Sequence, residues 1–505
     1  MSIESLPPPV PPGAAGIEGA SAPHEPSGQP VGAAGGEPGL WSPERRGLTI
    51  ALVLTITLVA FESLAVATVM PQVKDDLGGL GLYGWVFSGF FLSSLLGIVV
   101  AGRLADRRGL AFPFAAGLVL FAVGLAVGGA ATSMPMLVAA RIAQGFGAGT
   151  IPPTAYAAIG RGYPASQRPK MFATTSTAWV VPGLIGPAIA AFVEHAASWR
   201  WVFLGLLPIV AVAALMGIPA LAALGAPEQA DAGLGHDGAA DEIAARNVDD
   251  RRLVRRALVL VLGLGAVFAA GAGVPVAVGV PLVVVGLPAA VWAFIGLVPK
   301  GTLSLKPGVP ATVGIRGVLT WAFFAADAYI PLAVVDGRHS ATWIAATALS
   351  VGSVTWAGAS WVQARLIDRH GPRRLDRVGF TAVAAGIALM IGVSQGLPTG
   401  VAVVAWAIGC FGIGLAYSPL SITVLAAARP GEEGAASSAL QLSDAVGIAV
   451  GTGIGGWIVA AFDHGGGSVA SSTSVVFAVA LVMALIGLAG SSRLPVTVPE
   501  QATAD

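Results

Sequence analysis

The sequence predicts an all-α membrane protein with fourteen transmembrane helices: two pseudo-symmetric six-helix bundles and two helices inserted between them. Three observations lead to this fold class. Apolar residues dominate the chain, a charged turn occurs twice in one pattern, and positive charges concentrate on alternate loops.

Composition excludes a single water-soluble core. The 505 residues are 55% hydrophobic and 11% charged, with a mean hydropathy of +0.80. Soluble domains carry about 25% charged residues. Several uncharged stretches are as long as the ~20 residues that a membrane-spanning helix needs. The net charge of zero gives no indication of a nucleic-acid partner.

The sequence lacks the patterns of a nucleotide-binding loop, a disulfide and a metal site. The chain has no G-x-x-x-x-G-K-[ST] loop, so ATP is not expected to drive it. Cys410 is the one cysteine, which rules out an intramolecular disulfide and a cysteine metal cluster. No His/Cys/Asp spacing suggests a metal site either. We therefore expect no cofactor.

The predicted spans are the runs between charged or turn-forming clusters. In the first half they are 48–70, 82–103, 110–131, 134–159, 171–193 and 199–224. The uncharged run 257–299 is too long for one helix and fits two. In the second half they are 309–335, 341–364, 375–394, 399–427, 435–461 and 469–491.

These spans divide the chain into six parts. They are a disordered cytoplasmic tail (1–46), an N-terminal six-helix bundle (47–225), a cytoplasmic loop (226–256), an inserted helix pair (257–299), a C-terminal six-helix bundle (300–492) and a second cytoplasmic tail (493–505). The first tail is rich in Pro, Gly, Ala and Ser and has too few apolar side chains to fold.

The distribution of basic residues supports the count of fourteen. With both termini in the cytoplasm, the outer loops hold only Lys74, Arg200 and Arg338, and all other basic clusters lie inside. This asymmetry follows the positive-inside rule. Treating 257–299 as one span would place the Arg365–Arg377 cluster outside.

The charged turn "GRLADRRG" at Gly102–Gly109 is repeated as "ARLIDRHG" at Ala364–Gly371. Both follow the second span of their half, which indicates a duplication. A glycine motif is also repeated, "GFGAG" at Gly145–Gly149 and "CFGIG" at Cys410–Gly414. Parallel repeats of this kind build a class of transporters whose binding site lies between the halves.

Intramembrane acids also occur in both halves. Glu62 in the first span has a counterpart in Asp327. Asp327 lies about one helical turn away from the position that the spacing of the two charged turns would give. A charge at bilayer depth costs at least ~2.5–3.5 kcal/mol and needs a reason. Five residues are such candidates: Glu62, Arg141, Arg316, Asp327 and Asp444.

Four motifs together resemble the major facilitator superfamily, and in particular its fourteen-span drug/proton antiporters. They are Phe61-Glu62 to Pro71 in the first span, Gly102-x-Leu104-x-Asp106-Arg107-x-Gly109, Arg141-x-x-Gln144-Gly145-x-Gly147-Ala148, and Gly183-x-x-Gly186-Pro187. The resemblance covers nearly the whole chain from about residue 47. It implies a transporter, not an enzyme, that works by alternating access and is driven by a proton gradient.

The resemblance implies roles for individual residues. It assigns proton coupling to Glu62, Arg141, Asp327 and Asp444. It assigns a cytoplasmic gating motif to Gly102, Asp106, Arg107, Gly109, Asp368 and Arg369. It assigns an antiporter-type helix bend to Gly183, Gly186 and Pro187. The fourth-helix motif includes Gln144 and Gly145.

The residues themselves leave alternatives open. Glu62 is either the proton carrier or a static partner for a buried arginine, and Arg141 either tunes an acid or holds helices together. Asp327 is a second proton carrier or a counter-charge for cationic substrates. It cannot reach Arg316 within one helix because eleven residues separate them. Asp444 either faces the central site or caps the cytoplasmic end of its span.

The expected function is proton-coupled export of hydrophobic or amphiphilic small molecules, of the multidrug-efflux type. The alternatives are export of an endogenous lipid or other amphiphilic metabolite, and a membrane sensor without transport. The expected partners are the substrate, protons and membrane lipids, with no nucleic acid. We expect a monomer in a bacterial inner membrane with both termini in the cytoplasm.

Overall fold

The computed structural model describes residues 39–164, 167–178, 180–225, 236–271, 274–427 and 433–497. Within these ranges the chain is helical and contains no strand. The predicted N-terminal tail lies almost entirely outside the described residues, as does most of the predicted C-terminal tail.

Fifteen α-helices are present in the described part of the chain. They are α1 (Arg46–Leu77), α2 (Tyr83–Arg108), α3 (Ala111–Gly129), α4 (Met134–Gly162), α5 (Arg168–Thr177), α6 (Val180–Ala196), α7 (Arg200–Leu204), α8 (Leu207–Ala222), α9 (His236–Ala270), α10 (Val276–Ile295), α11 (Val309–Asp327), α12 (Thr342–Gln395), α13 (Val401–Ala426), α14 (Glu433–His464) and α15 (Val469–Gly490). A short π-helix, Leu332–Asp336, follows α11.

Eleven helical stretches among the described residues are long and apolar enough to cross a membrane. Helices suit this setting because each satisfies its own backbone hydrogen bonds, which lipid cannot do. The protein is therefore a multi-pass membrane protein. Two further helices are not among the eleven: α4, and α6, which is apolar but shorter.

The two charged turns adopt the same backbone conformation. Gly109, which ends α2, has φ 74° and ψ 175°. Gly371, inside α12, has φ 69° and ψ 167°. This region is essentially restricted to glycine, so the repeated motif specifies the same break in both halves. At Gly371 the break divides α12 into two helical segments.

Several boundaries differ from the sequence prediction. The segment 226–256, predicted to be a loop, is helical from His236 onward and continues into the membrane as α9. The charged residues of this segment indicate that it lies outside the membrane. They do not distinguish a helix from a loop. The predicted span 171–193 is divided between α5 and α6. The predicted span 199–224 agrees with one membrane-length stretch, Arg200–Ala222, which comprises α7 and α8.

Two helix pairs form the main contacts between the two halves of the sequence. We call 47–225 the N-terminal half and 300–492 the C-terminal half. In one contact α2 packs against α14, and in the other α6 packs against α12. The inserted helices α9 and α10 pack on each other, and α9 also packs against α2.

Candidate functional site

The Glu62 cluster is a buried group of polar side chains in the N-terminal half. Arg141 on α4 donates a hydrogen bond from Nη1 to Glu62 Oε1 on α1 and forms an ion pair with it. Gln144, one turn after Arg141, accepts from Arg141 Nη1 at 3.2 Å and donates to Glu62 Oε1 at 3.4 Å. All three side chains are buried. The structure thus brings together three of the residues predicted from the sequence.

Arg141 is held by α2 as well as by Glu62. Its Nε donates to the Val86 carbonyl oxygen at 3.1 Å, and its guanidinium lies 4.2 Å from the centre of the Phe90 ring. A desolvated cation over an aromatic face gains about 2 kcal/mol. Arg141 therefore connects α1, α2 and α4, and Val86 and Phe90 are contacts that the sequence did not indicate.

The other carboxylate oxygen of Glu62 has no hydrogen-bond partner in the described part of the chain. Glu62 Oε2 is buried, and no hydrogen bond to it is formed among the described residues. An unpaired buried carboxylate oxygen is costly. Protonation there would remove the cost and would also remove the charge that attracts Arg141.

The glycines of the fourth-helix motif bring α4 against α2. A side chain at Gly145 would overlap the Phe90 carbonyl, and one at Gly149 would overlap the Ser94 carbonyl. Small residues allow membrane helices to approach this closely. The same contact places Phe90 beneath Arg141.

In the C-terminal half an acid on a buried helix is also paired with a hydrogen-bond donor, but the donor is a tryptophan instead of an arginine. Trp406 Nε1 on α13 donates to Asp327 Oδ1 at 2.8 Å. In both halves the acid and its partner are 79 residues apart. Asp327 is thus the structural counterpart of Glu62, and Trp406 that of Arg141. An indole donates a hydrogen bond but carries no charge.

Aromatic rings surround the Asp327–Trp406 pair. Phe323 stacks on Trp406 with ring centroids 4.7 Å apart and meets Trp356 edge-on at 5.4 Å. Trp356 in turn contacts Tyr417 at 5.7 Å. Asp327 and Trp356 are partly exposed, whereas Trp406 is buried. We call these five residues the Asp327 cluster.

Arg316 pairs with Asp444 rather than with Asp327. Arg316 Nε donates to Asp444 Oδ1 at 2.6 Å, and Nη2 donates to Oδ2 at 3.0 Å. The Tyr417 hydroxyl also donates to Asp444 at 3.0 Å. Arg316 Nη1 bonds the Ser421 hydroxyl at 2.9 Å and the Tyr417 carbonyl. This two-point ion pair joins α11 to α14, and the hydrogen bonds of Tyr417 and Ser421 connect both helices to α13.

The predicted gating residues lie at helix ends. Arg107, Asp368 and Arg369 are exposed, and no ion pair of Asp368 is formed within the described ranges. The side chain of Asp106 lies outside what the structure describes. A side chain at Gly102 would meet open space. The predicted contact between the halves through this motif therefore stays a prediction.

The predicted bend residues lie where α6 meets its neighbours. A Cβ at Gly183 would lie 2.6 Å from Ser353 Cβ on α12, and one at Gly186 would lie 3.5 Å from the Phe61 ring on α1. Pro187 lies inside α6 and has no N–H to donate.

A polar contact that the sequence did not indicate joins α1 to the C-terminal half. Lys74 Nζ donates to Asp336 Oδ1 of the π-helix at 2.8 Å. Gln72 Nε2 donates to the Thr342 hydroxyl at 2.6 Å. All four residues lie close to the ends of helices. Their pairing depends on how the halves meet, which no local sequence pattern records.

Comparison with known proteins agrees with the sequence motifs. A family model described as Major Facilitator Superfamily matches residues 50–375. The chain is 26% identical over 459 residues to the "Probable multidrug-efflux transporter MT1670" of Mycobacterium tuberculosis, covering 87% of this chain and 92% of that protein. It is 28% identical over 169 residues to the "Multidrug efflux pump SdrM" of Staphylococcus aureus, covering 34% of this chain and 38% of that protein.

Solved structures share the fold at low sequence identity. An auto-inhibited POT family peptide transporter superposes with a TM-score of 0.62 at 15% identity, covering 91% of this chain and 99% of that chain. This similarity concerns the fold alone. Since the family model matches well over half of the sequence, the chain belongs to the Major Facilitator Superfamily and is a transporter rather than an enzyme.

Proposed function

We propose that the protein exports hydrophobic or amphiphilic small molecules in exchange for protons, by alternating access, as a multidrug-efflux transporter. The names of relatives such as the mycobacterial and staphylococcal efflux proteins support the substrate class. The observation that carries the proton-coupling part is the buried Glu62–Arg141–Gln144 cluster with its unpaired carboxylate oxygen.

In the proposed cycle, Glu62 exchanges one proton. Burial away from water disfavours the charged carboxylate, and the nearby Arg141 favours it. The two influences oppose each other, so a modest movement of Arg141 is enough to change the proton occupancy of Glu62. Proton binding weakens the hold of Glu62 on Arg141, and proton release restores the ion pair.

Arg141 transmits this change to α2. The Val86 carbonyl and the Phe90 ring on α2 hold the guanidinium independently of Glu62. The same helix ends in the charged turn at Gly102–Gly109 and packs against α14 of the other half. Protonation of Glu62 thereby changes how Arg141 interacts with α2. This helix ends at the gating motif and lies at the interface between the halves.

Fourteen spans in two six-helix bundles form the proposed architecture. The eleven candidate stretches become fourteen when α4 and α6 are added and α12 is divided at Gly371. An even number keeps both termini in the cytoplasm of a bacterial inner membrane, as the positive charges favour. We propose a monomer that contacts membrane lipids and needs no cofactor.

Alternating access requires contacts between the halves that can open. The Lys74–Asp336 and Gln72–Thr342 contacts join α1 to the C-terminal half at the end assigned to the outer side by the charge distribution. We propose that they close the outer end of the transport path in this conformation. Their separation would accompany opening to the outside.

Dye transport in inside-out membrane vesicles tests the proposed function. Ethidium serves as a lipophilic substrate, and an imposed pH gradient with protons concentrated in the vesicle lumen supplies the drive. We expect ethidium accumulation that a protonophore abolishes and that empty vesicles lack. Accumulation that is unchanged when the gradient collapses would exclude proton coupling.

A further inference from the structure

Asp376 is a buried acid that the proposed transport cycle does not use. Its side chain is fully buried on α12, five residues after the break at Gly371. Neither of its carboxylate oxygens forms a hydrogen bond within the described part of the chain. Glu62 differs, because one of its oxygens pairs with Arg141. An unpaired buried charge is strongly disfavoured, so the Asp376 side chain must bind a proton or another cation.

The N-terminal half has an aromatic residue at the equivalent place. Phe114 lies five residues after Gly109, as Asp376 lies five residues after Gly371. Phe114 is also fully buried, and a Cβ at Gly217 of α8 would lie 2.6 Å from its ring. An apolar side chain therefore satisfies the packing at this place in the fold. The acid in the C-terminal half calls for a separate explanation.

The chain after α15 folds back onto the Gly371 break. We call residues 491–497 the C-terminal strap, which begins with a short 3-10 helix, Ser491–Arg493. Arg373 Nε of α12 donates to the Leu494 carbonyl oxygen at 2.7 Å. A Cβ at Gly371 would overlap the Val496 carbonyl. The strap therefore lies directly on the second copy of the charged turn.

Asp376 lies on the helix face that the strap and α15 cover. Arg373 comes three residues before Asp376 and Phe380 comes four residues after it, and residues at these spacings share a helix face. Arg373 contacts the strap at Leu494. A Cβ at Gly487 of α15 would overlap the Phe380 ring. The buried acid thus lies between two contacts with the end of α15 and its extension.

No basic side chain of α12 or of the strap compensates Asp376 within the described residues. Arg373 donates to the strap backbone. The other basic side chains near the break are exposed, whereas Asp376 is fully buried. They are His370, Arg374 and Arg377 on α12 and Arg493 in the strap.

The helices packed around this part of α12 supply no counter-charge either. Neither α13 nor α15 carries a charged side chain. The titratable residues of α13 are engaged elsewhere, since Cys410 lies against Gly352 and Tyr417 bonds Asp444. Arg316 of α11 is paired with Asp444 as well. The acid therefore has no ion-pair partner on any of these described helices.

We propose that Asp376 is a proton-binding site that holds the C-terminal strap on the Gly371 break, and that loss of this proton releases the strap. The docked strap buries the acid, so docking requires its neutral form. The end of α15 adds to this requirement, because the partial negative charge at a helix C-terminus disfavours a carboxylate. Docking therefore takes up one proton. By linkage it weakens as the pH rises, by up to ~10-fold in its equilibrium constant per pH unit.

This site goes beyond the proposed transport cycle. The charge distribution places the Gly371 turn in the cytoplasm. An acidic cytoplasm would keep the strap docked on the turn, and an alkaline cytoplasm would free it. If export is driven by proton entry, as proposed above, the site senses the compartment that export acidifies.

Fluorescence quenching in the full chain, held in lipid nanodiscs, tests the proposal. In the Cys410→Ala background a bimane label is attached at Val496→Cys, where the native side chain is exposed. His370→Trp places a quencher beside Gly371 and removes a titratable side chain next to the break. The same labelled chain without His370→Trp is the reference. The ratio of the two emissions reports whether the strap is docked.

We expect strong quenching at about pH 5 that declines as the pH is raised to about 9. Asp376→Asn resembles the neutral acid and has no proton to lose, so its quenching should stay at the low-pH level throughout. Asp376→Leu is a second neutral variant with the same expectation. Asp368→Asn is the matched control, because Asp368 is an exposed acid near the same break and its replacement should leave the pH response unchanged.

Two results would overturn the proposal directly. One is quenching in the parent chain that is absent or independent of pH. The other is a pH response that persists in both Asp376→Asn and Asp376→Leu.

A salt series separates a proton from another cation. Replacing choline with Na⁺ or K⁺ at constant ionic strength should leave the quenching profile unchanged, and a profile that shifts with either ion would overturn proton binding. Quenching needs no transported substrate. A failure of ethidium transport would therefore refute the proposed function and leave the result for the strap standing.

Discussion

At the residue scale, two acid–donor pairs occupy equivalent places but differ in charge. Glu62 faces a cation and Asp327 faces a neutral indole. A charge compensated by Arg141 suits a proton switch that stays within one half. Among the described residues Asp327 forms no ion pair. It is partly exposed, which suits a group that meets the substrate.

Removing one member of the buried ion pair should cost more than removing both. Arg141→Met leaves Glu62 buried without its counter-charge, which is expected to cost about 3–5 kcal/mol. Adding Glu62→Gln removes the orphaned charge, so the double variant should recover part of that loss. Thermal unfolding in detergent measures the difference. A double variant that melts no higher than Arg141→Met would contradict the pairing.

The hydrogen bond from the Trp406 indole N–H should contribute more to stability than the rest of the indole ring does. Trp406→Phe keeps an aromatic ring against Phe323 and removes the hydrogen bond to Asp327, at an expected cost of about 1–3 kcal/mol. Trp361→Phe is the matched control, since Trp361 is exposed and its replacement should change stability by less than about 0.5 kcal/mol. Equal melting temperatures for the two variants would show that the bond contributes nothing.

The intramembrane acids and Arg141 could be identified from sequence because a charge within an apolar run is visible by itself. Their partners could not be identified in the same way. Whether Asp444 meets Arg316 or faces solvent depends on the rotation of two helices that are far apart in sequence. The resemblance to known antiporters suggested an acid near Arg141, but not the Val86 and Phe90 contacts on α2.

At the element scale, the fit of α4 against α2 depends on glycines that touch backbone. Gly145→Ala forces a methyl group into the Phe90 carbonyl, and neither helix backbone can move aside cheaply. Gly160→Ala on the same helix meets open space. We expect Gly145→Ala to lower both the melting temperature and ethidium transport.

The control should behave oppositely, because alanine stabilises an open helix position by about 0.8–1.0 kcal/mol relative to glycine. Gly160→Ala should therefore melt at the same or a slightly higher temperature. If both alanine variants lost stability equally, helix packing at Gly145 would not be the cause.

The outer contacts between α1 and the C-terminal half should control opening. A short bifunctional methanethiosulfonate applied to Gln72→Cys/Thr342→Cys in the Cys410→Ala chain should stop transport, and reductant should restore it. Arg45→Cys/Gln167→Cys is the control, because the hydrogen bond that joins this pair does not involve the C-terminal half. Transport that continues with 72 and 342 linked would show that this end need not open.

Helix positions could be predicted from sequence more readily than helix ends. Apolar length fixes where a membrane helix lies, and the uncharged run 257–299 contains the end of α9 and all of α10. The start of α9 at His236 could not be predicted in this way, because a charged segment outside the membrane carries no length constraint.

At the scale of the whole molecule, some features of the N-terminal half recur in the C-terminal half and others do not. Gly109 and Gly371 retain one backbone conformation, whereas Arg141 and Trp406 differ in charge at equivalent places. We interpret this difference as a division of labour, with proton exchange at the Glu62 cluster and substrate contact at the Asp327 cluster. The inserted pair adds a second asymmetry, because α9 packs against α2 of the N-terminal half.

The central claim is that Glu62 couples proton movement to export. The most direct measurement compares wild type and Glu62→Gln in proteoliposomes for two activities, gradient-driven accumulation of ethidium and gradient-independent exchange of ethidium across the membrane. A neutral glutamine keeps the hydrogen bonds of the cluster but cannot exchange a proton. We expect Glu62→Gln to lose accumulation and retain exchange. Accumulation by Glu62→Gln at the wild-type level, in proportion to the imposed gradient, would contradict the account.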